Sequence, residues 1–364
     1  MVKRWQEREL IAALAARRGV HLTGARQCGK TTLAETVEIP VCLRYTFDDD
    51  ALRATAEGDP NGFVNLGMCY LRGFGCQQDR DLAFACFKAA ADAADLVIVF
   101  TGTELGYQEN MESESRDRKS MDLPPALEQA MHTILGWNHS RLVVVSRTGT
   151  PVGYTWTDKA KTLVQTSYLG MEEGNAIVDV LTGEVNPSGR LCQSWPKRYA
   201  DTAVAQCGTY NATNVTYNER FYIGYRWHDH RGIEPLFPFG FGKSYTTFRY
   251  SDVSATNLQV SVTVTNAGMV KGKEVVQFYV AYPDAKVERC VKELKGFAKT
   301  KLLAPGESET VKIFVSKRDL AYWDDFASRF TTDAGAYELL VGASSVDIRS
   351  RQRITVAETV RYRD

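Results

Sequence analysis

Neither sign of charge is in surplus in this chain of 364 residues: 44 Lys and Arg stand against 44 Asp and Glu. General nucleic-acid binders and anionic-membrane binders need a basic excess, so no nucleic acid and no membrane partner is expected. Long apolar runs are missing too. Runs such as Leu96–Phe100 and Leu142–Val145 fall far short of the roughly 20 residues of a membrane span. The first ten residues carry early charges and no uninterrupted apolar core, so no secretory signal is expected and a cytoplasmic location is. The eight cysteines (28, 42, 69, 76, 86, 192, 207 and 290) are scattered with no C-x-x-C pair. That argues against a disulfide framework or structural zinc. His228 and His230 lack a third nearby ligand, so they read as surface residues and no metal site is expected.

What is present divides into segments of different style. The length predicts two or three domains at about 150 residues each, and the fraction of apolar residues, 44%, excludes wholesale disorder. Residues 1–62 open with a helix from Trp5 to Arg18, apolar at Leu10, Ile11, Leu14 and Ala15. A short strand, Val20–Thr23, then leads into Gly24-Ala-Arg-Gln-Cys-Gly-Lys-Thr31. In this G-x-x-x-x-G-K-T pattern, Gly24 and Gly29 let loop amides cradle phosphates. Lys30 reaches the outer phosphates and Thr31 can sit on magnesium. Up to Asp59 the segment resembles the start of an AAA-type P-loop ATPase, but no Asp-Glu-ending strand follows before residue 92. A vestigial loop is therefore the expected reading, and ATP with magnesium is a cofactor only under an alternative one.

Residues 63–91 read as one helical hairpin. Leu66, Gly67, Tyr70, Gly73, Gly75, Asp79, Ala83 and Ala89-Ala90 resemble a single Sel-one-type, tetratricopeptide-related repeat. Glycine turns the chain there, and Ala83 and Ala90 let two helices approach. One repeat cannot bury its own apolar face, so it is not expected to be an independent domain.

From residue 92 to 242, apolar strands alternate with amphipathic helices: Leu96–Phe100, a helix from Pro125 to Trp137, Leu142–Val145, and a helix after Glu172 presenting Ile177, Val180 and Leu181. That pattern predicts an α/β layer with a parallel sheet, whose ligands collect beyond the carboxyl ends of the strands. The loop after Phe100 occupies such a place. It carries Glu104, Glu109, Glu112, Glu114 and Asp117 among Arg116, Arg118 and Lys119. Composition reads this as a solvated, self-neutralising run. The other reading makes one carboxyl a general acid whose proton affinity is raised by partial burial.

Several motifs favour the second reading. Glu112-Ser-Glu-Ser-Arg-Asp-Arg followed by Asp122-Leu-Pro, Gly170-Met-Glu-Glu-Gly-Asn-Ala followed by Asn186-Pro-Ser-Gly-Arg-Leu, and Phe221-Tyr-Ile-Gly-Tyr-Arg-Trp followed by Phe237-Pro-Phe-Gly-Phe-Gly-Lys resemble the C-terminal half of glycoside hydrolase family 3, the β-glucosidase type. The resemblance implies hydrolysis of terminal β-D-glucosides with a β-glucoside or oligosaccharide substrate, no cofactor, and Glu114 as the catalytic acid/base. Two positions depart from the family. Ser115 replaces a glycine, and its Cβ restricts the loop backbone. Ser167-Tyr-Leu-Gly stands where the family has an aromatic-Tyr-Pro-Gly stretch.

Residues 243–364 show period-two alternation at Leu258, Val260, Val262 and Val264, at Val311, Ile313 and Val315, and at Tyr337, Leu339 and Val341. Ala304-Pro-Gly-Glu supplies a type II turn. A β-sandwich is predicted, and the segment resembles a fibronectin type III-like domain. Phe297 and Trp323, which fall in family motifs, are expected in core or interdomain packing rather than as sugar platforms.

The expected organisation is therefore a truncated P-loop segment (1–62), a helical hairpin (63–91), an α/β layered domain (92–242) and a fibronectin type III-like all-β sandwich (243–364). A retaining glycosidase needs two carboxyl groups about 5 Å apart. In the family that this chain resembles, the nucleophilic aspartate lies on a preceding (β/α)8 barrel of about 250 residues, whereas 91 residues precede the resemblance here. The expectation is a β-glucosidase-like protein inactive alone, with a partner supplying the barrel as one possibility. The alternatives are a P-loop nucleotide-binding protein using Lys30 and a non-catalytic interaction module.

Overall fold

The computed structural model describes residues 67, 78–103, 112, 117–209, 214–256 and 258–362. The P-loop reading (Gly24, Gly29, Lys30, Thr31) and the acid/base reading of Glu114 both lie outside the described residues. The chain forms two compact units, Met1–Val178 and Asp179–Asp364.

In the first unit, α1 (Arg80–Ala93) begins where Asp79 Oδ1 accepts the amides of Asp81 and Leu82, each at 3.0 Å. That carboxylate satisfies donors which the first turn leaves without helical partners. Gly67 is helical and buried, and a Cβ there would come within 2.7 Å of Phe87 and 3.1 Å of the Ala83 carbonyl. Gly67, read from the sequence as turning the chain, is thus helical, and residues 63–66 and 68–77 of the hairpin reading lie outside the described residues.

Three parallel strands follow: β1 (Val97–Gly102), β2 (Leu142–Arg147) and β3 (Leu163–Thr166), ordered β1-β2-β3. Val97 pairs with Leu142 and Val144 with Leu163. Between β1 and β2 runs α2 (Pro125–Gly136). Proline at its first position costs nothing, because that amide would have no helical partner. Val144, Val145, Leu123, Met131, Leu135, Val152 and Trp156 are buried. The helix α3 (Glu173–Thr182) follows β3.

The second unit begins with irregular chain holding two short helices, α4 (Ala203–Cys207) and α5 (Tyr225–Arg231). Here an expectation is corrected. His228 is not a surface residue but is buried, with Nδ1 3.0 Å from the Ile233 carbonyl. A seven-residue helix that turns Trp227 inward brings its neighbour in as well. His230 stays at the surface and stacks on Tyr222.

The sandwich is built from β4 (Phe248–Thr256), β5 (Gln259–Asn266), β6 (Val275–Ala281), β7 (Glu293–Lys299), β8 (Ser308–Phe314), β9 (Tyr322–Asp324), β10 (Arg329–Thr332), β11 (Gly335–Gly342), β12 (Ile348–Val356) and β13 (Val360–Tyr362). The sheets run β4-β5-β8, β12-β11-β6-β7 and β13-β10-β9. Val260, Val262 and Val264, Val311, Ile313 and Val315, and Tyr337, Leu339 and Val341 all enter one core with Phe278. Gly306 has φ +80°, and the Glu307 amide bonds the Ala304 carbonyl at 2.9 Å. Both are as a type II turn requires.

Phe297 and Trp323 do not enter that core. They are 69% and 46% exposed. Phe297 falls on the outward phase of β7, and Trp323 meets Phe330 edge to face at 5.2 Å.

Motifs that stand out in the sequence of the second unit hold it together. Asn186 Oδ1 accepts from Ser244 Oγ and from the Tyr245 amide, and its Nδ2 donates to the Lys271 carbonyl. Arg190 pairs with Glu274 at 2.7 Å with both side chains buried. Gly240 has φ +80°, and a Cβ there would overlap Gln277 at 2.0 Å. Gln277 Nε2 in turn donates to the Gly240 and Ala343 carbonyls. Among the described residues, no helix is long and apolar enough to cross a membrane.

Candidate active site

All three parallel strands of the first unit end in polar residues at the same edge: Thr103 just past β1, Arg147 and Thr148 at the end of β2, and Thr166 at the end of β3. Their outer carbonyls and amides have run out of strand partners there, so hydroxyl side chains and returning loops take over the pairing. The Thr103 amide bonds the Arg147 carbonyl at 3.1 Å, and the Glu112 amide bonds the Thr103 carbonyl at 3.2 Å.

Glu112 is the hub of this edge. Its Oε1 accepts from Thr103 Oγ1 at 3.0 Å and from Thr150 Oγ1 at 2.9 Å. Its Oε2 accepts from the Tyr168 hydroxyl. Three donors thus reach one carboxylate from the connections after β1, β2 and β3, as an ionised acceptor with about four lone-pair sites allows. Burial first, and then the adjoining Glu112 carboxylate, push the Tyr168 phenol up to about 12, so Tyr168 remains a donor. Gly149 has to be small, because a Cβ there would stand 2.7 Å from Glu112 Oε2.

An ion pair lies beside it. Arg147 Nε is 2.9 Å from Glu173 Oε2, and the guanidinium sits 5.3 Å from the Tyr168 ring centroid. The Glu173 side chain is 7% exposed. A carboxylate so far out of water needs its partner, because one left unpaired would carry a heavy desolvation cost.

Arg118 marks the far side of the loop. Its Nη2 donates to Thr150 Oγ1 at 2.8 Å and to the Pro151 carbonyl at 3.1 Å. Asp122, which opens the Asp-Leu-Pro stretch, accepts from Ser120 Oγ and bridges to Gly153, while Leu123 is 1% exposed. That stretch anchors the start of α2. Asp117 and Lys119 are exposed. Beneath the edge, burial pushes the Tyr154 phenol up to about 12, and its hydroxyl meets Ser146 Oγ and Gln165 Oε1.

Of the acidic and basic residues singled out in the loop, Glu112, Asp117, Arg118 and Lys119 are described, and Glu112 and Arg118 converge. Glu104, Glu109, Glu114 and Arg116 lie outside the described residues. Sequence reading missed Thr103, Arg147 and Thr150, while Tyr168 and Glu173 fell inside quoted motifs without being given a role. One signal was there to use: hydroxyl or charged residues directly following each apolar strand run. Among the described residues no cluster of three His, Cys, Asp or Glu side chains could hold a metal ion, and Cys86, Cys192, Cys207 and Cys290 are free thiols.

Comparison with known proteins gives this edge its context. Residues 10–245 match the glycosyl hydrolase family 3 C-terminal domain, and residues 274–345 match the fibronectin type III-like domain. The first match runs through residues 24–31 and 63–91 as well. The chain is 40% identical over 319 residues to a β-glucosidase of Rhizobium radiobacter, covering 84% of this chain and 37% of that protein. It is 38% identical over 284 residues to thermostable β-glucosidase B of Acetivibrio thermocellus, covering 76% and 37%. Among solved structures, the β-glucosidase of Kluyveromyces marxianus in complex with glucose superposes with a TM-score of 0.72 at 36% identity, covering 78% of this chain and 34% of that one. β-Glucosidase 3B of Thermotoga neapolitana in complex with α-D-glucose gives 0.68 at 29% identity, covering 83% and 47%. The chain thus spans a little over a third of the length of these two curated relatives. With its motifs, its parallel sheet and its sandwich in agreement with those matches, this chain belongs to the family of the glycosyl hydrolase family 3 C-terminal domain, carried together with a fibronectin type III-like domain.

Proposed function

We propose that this chain supplies the acid/base half of a site that hydrolyses terminal β-D-glucosides with retention. The observation that carries the reading is the loop running from Glu112 to Arg118: it holds the family's acidic motif and is tied at both described ends to the carboxyl edge of the parallel sheet. In open α/β sheets that edge is where ligands collect. Glu114, within the loop, protonates the leaving oxygen and then activates water for the second displacement. The attacking carboxylate, about 5 Å away in a retaining enzyme, comes from an aspartate on a (β/α)8 barrel. The relatives solved with glucose support a β-glucoside as the substrate class. The polypeptide of 364 residues, assayed alone, turns over little or no substrate, because a proton donor without a nucleophile cannot form the glycosyl-enzyme intermediate.

The test measures release of 4-nitrophenol from its β-D-glucoside. The polypeptide alone is expected at background. Mixing it with a separately produced barrel of the Rhizobium radiobacter relative is expected to restore turnover, and Glu114→Gln to remove at least about a hundredfold of it. Turnover by the polypeptide alone that disappears in Glu114→Gln overturns the half-site reading. Turnover of the mixture that is indifferent to Glu114→Gln overturns the assignment of the acid/base.

A further inference from the structure

Strand pairing sets three aromatic rings in a row on one face of the small sheet β13-β10-β9. Trp323 stands opposite Phe330, and Phe330 stands opposite Tyr362. Residues directly opposite in an antiparallel pair share a face and touch. Trp323 and Phe330 meet edge to face at 5.2 Å. The Arg318 guanidinium lies 5.8 Å from the ring centroids of both Phe330 and Tyr362. Trp323, Phe330 and Arg318 are exposed.

Beside this floor stands a knob. The β9–β10 hairpin turns on Asp324, whose Oδ1 accepts the amides of Phe326 and Ala327, each at 3.1 Å. Ser328, at φ +51°, leads the chain back into β10. Phe326 at the tip is fully exposed, and Asp325 beside it is exposed too. Contiguous exposed apolar surface marks an interaction site, whereas single scattered residues do not.

The charges say what fits there. Arg318 and Asp325 each lack an ion-pair partner among the described residues. Asp319, next to Arg318 in the chain, is engaged by the Ser316 amide and hydroxyl. The knob thus carries a free negative charge and the floor a free positive one. A patch that holds both halves of its own complement matches a second copy turned about a two-fold axis, where residue i meets j and j meets i.

We propose that two copies of this chain associate through this face. Phe326 and Asp325 of each copy seat against the aromatic row and Arg318 of the other, so the Asp325–Arg318 pair forms twice. The fixed turn lowers the ordering cost of docking the tip.

The test is sedimentation equilibrium of the full chain from about 1 to 200 µM, where a small interface associates. The mass is expected to rise with concentration from 40.6 kDa toward twice that value. Phe326→Ser is expected to weaken association about a hundredfold or more, since the anchor is lost at two places. Arg318→Asp or Asp325→Arg alone should weaken it about tenfold, and the two reversals together should return it to within about threefold of the unaltered chain. Urea midpoints should be unchanged in Phe326→Ser and Asp325→Arg, whose side chains are exposed, so these two variants decide even if Arg318→Asp disturbs the rings beneath it.

A constant mass of 40.6 kDa across the range overturns the proposal. So does association indifferent to Phe326→Ser, or a double reversal that restores nothing. A monomeric chain retarded by a soluble β-glucan in affinity electrophoresis, with the retardation lost in Trp323→Ala, also overturns it and marks the face as a sugar platform.

Discussion

Strand β5 of the sandwich alternates strictly between half-buried and buried positions, whereas strand β2 of the parallel sheet buries Val144, Val145 and Ser146 in succession. The first pattern arises because an antiparallel sandwich strand has one face on the core and one toward water. The second arises because a parallel strand is covered on both faces. Alternation therefore tells which way each side chain points, and a continuous run does not. In the sandwich the inward residues could be named one by one. In the parallel sheet the run locates the strand, but which polar residues meet at its carboxyl edge depends on connections after three separate strands.

The comparison can be broken by substitution in each unit. Phe278, fully buried in the sandwich core, is expected to cost about 3–5 kcal/mol when changed to Ala, read as a shift of the urea unfolding midpoint. An equal loss on removing a single hydroxyl at the edge of the parallel sheet would erase the distinction between a packed core and a polar edge.

Acid should separate the units next. Glu293 in β7 accepts from the Tyr282 hydroxyl and lies near Arg289, Lys295 and Arg226. Burial is the largest single influence and raises its affinity for a proton. The Tyr282 bond and the charges of Lys295 and Arg289 outweigh it and hold the carboxyl down at about 2, below its ordinary 4.5. Because the folded value is depressed, this group's stabilisation is complete above about pH 4.5 and is lost as pH falls toward about 2. The gap in stability between the unaltered protein and Glu293→Gln is expected to close over that window. A constant gap between pH 5 and 2.5 in urea titrations would contradict it.

The smallest effect is expected at Tyr168. Tyr168→Phe removes one of three donors to Glu112 in a partly exposed place and should cost about 1 kcal/mol or less. The near-ultraviolet signal of the sandwich should be unchanged. A cost of several kcal/mol would mean that the polar edge supports the first unit as a core does.

Several family motifs were legible as motifs, yet their work was not. Asn186, Arg190 and Gly240 stood out in sequence beside Glu112 and Arg118. In the structure the first three brace the irregular chain of the second unit through Ser244, Glu274 and Gln277. Only Glu112 and Arg118 face the strand ends. A motif records that substitution is costly and does not distinguish a buried ion pair from a reacting carboxyl. Phe297 misled for a related reason: an aromatic in a strand suggests a core, but the phase of β7 turns it outward.

Sequence by itself determined the first two parallel strands, β1 and β2, but not β3, and also the helix after Pro124, the inward face of the sandwich and the turn at Pro305-Gly306. Each of these follows from local periodicity or from the backbone limits of a single residue. Only the tertiary structure decided that Thr103, Thr150 and Tyr168 share one carboxylate, that His228 is buried, and that Gly240 makes room for Gln277. Those outcomes depend on groups brought together from distant positions by packing, and no spacing along the chain encodes a distance through space.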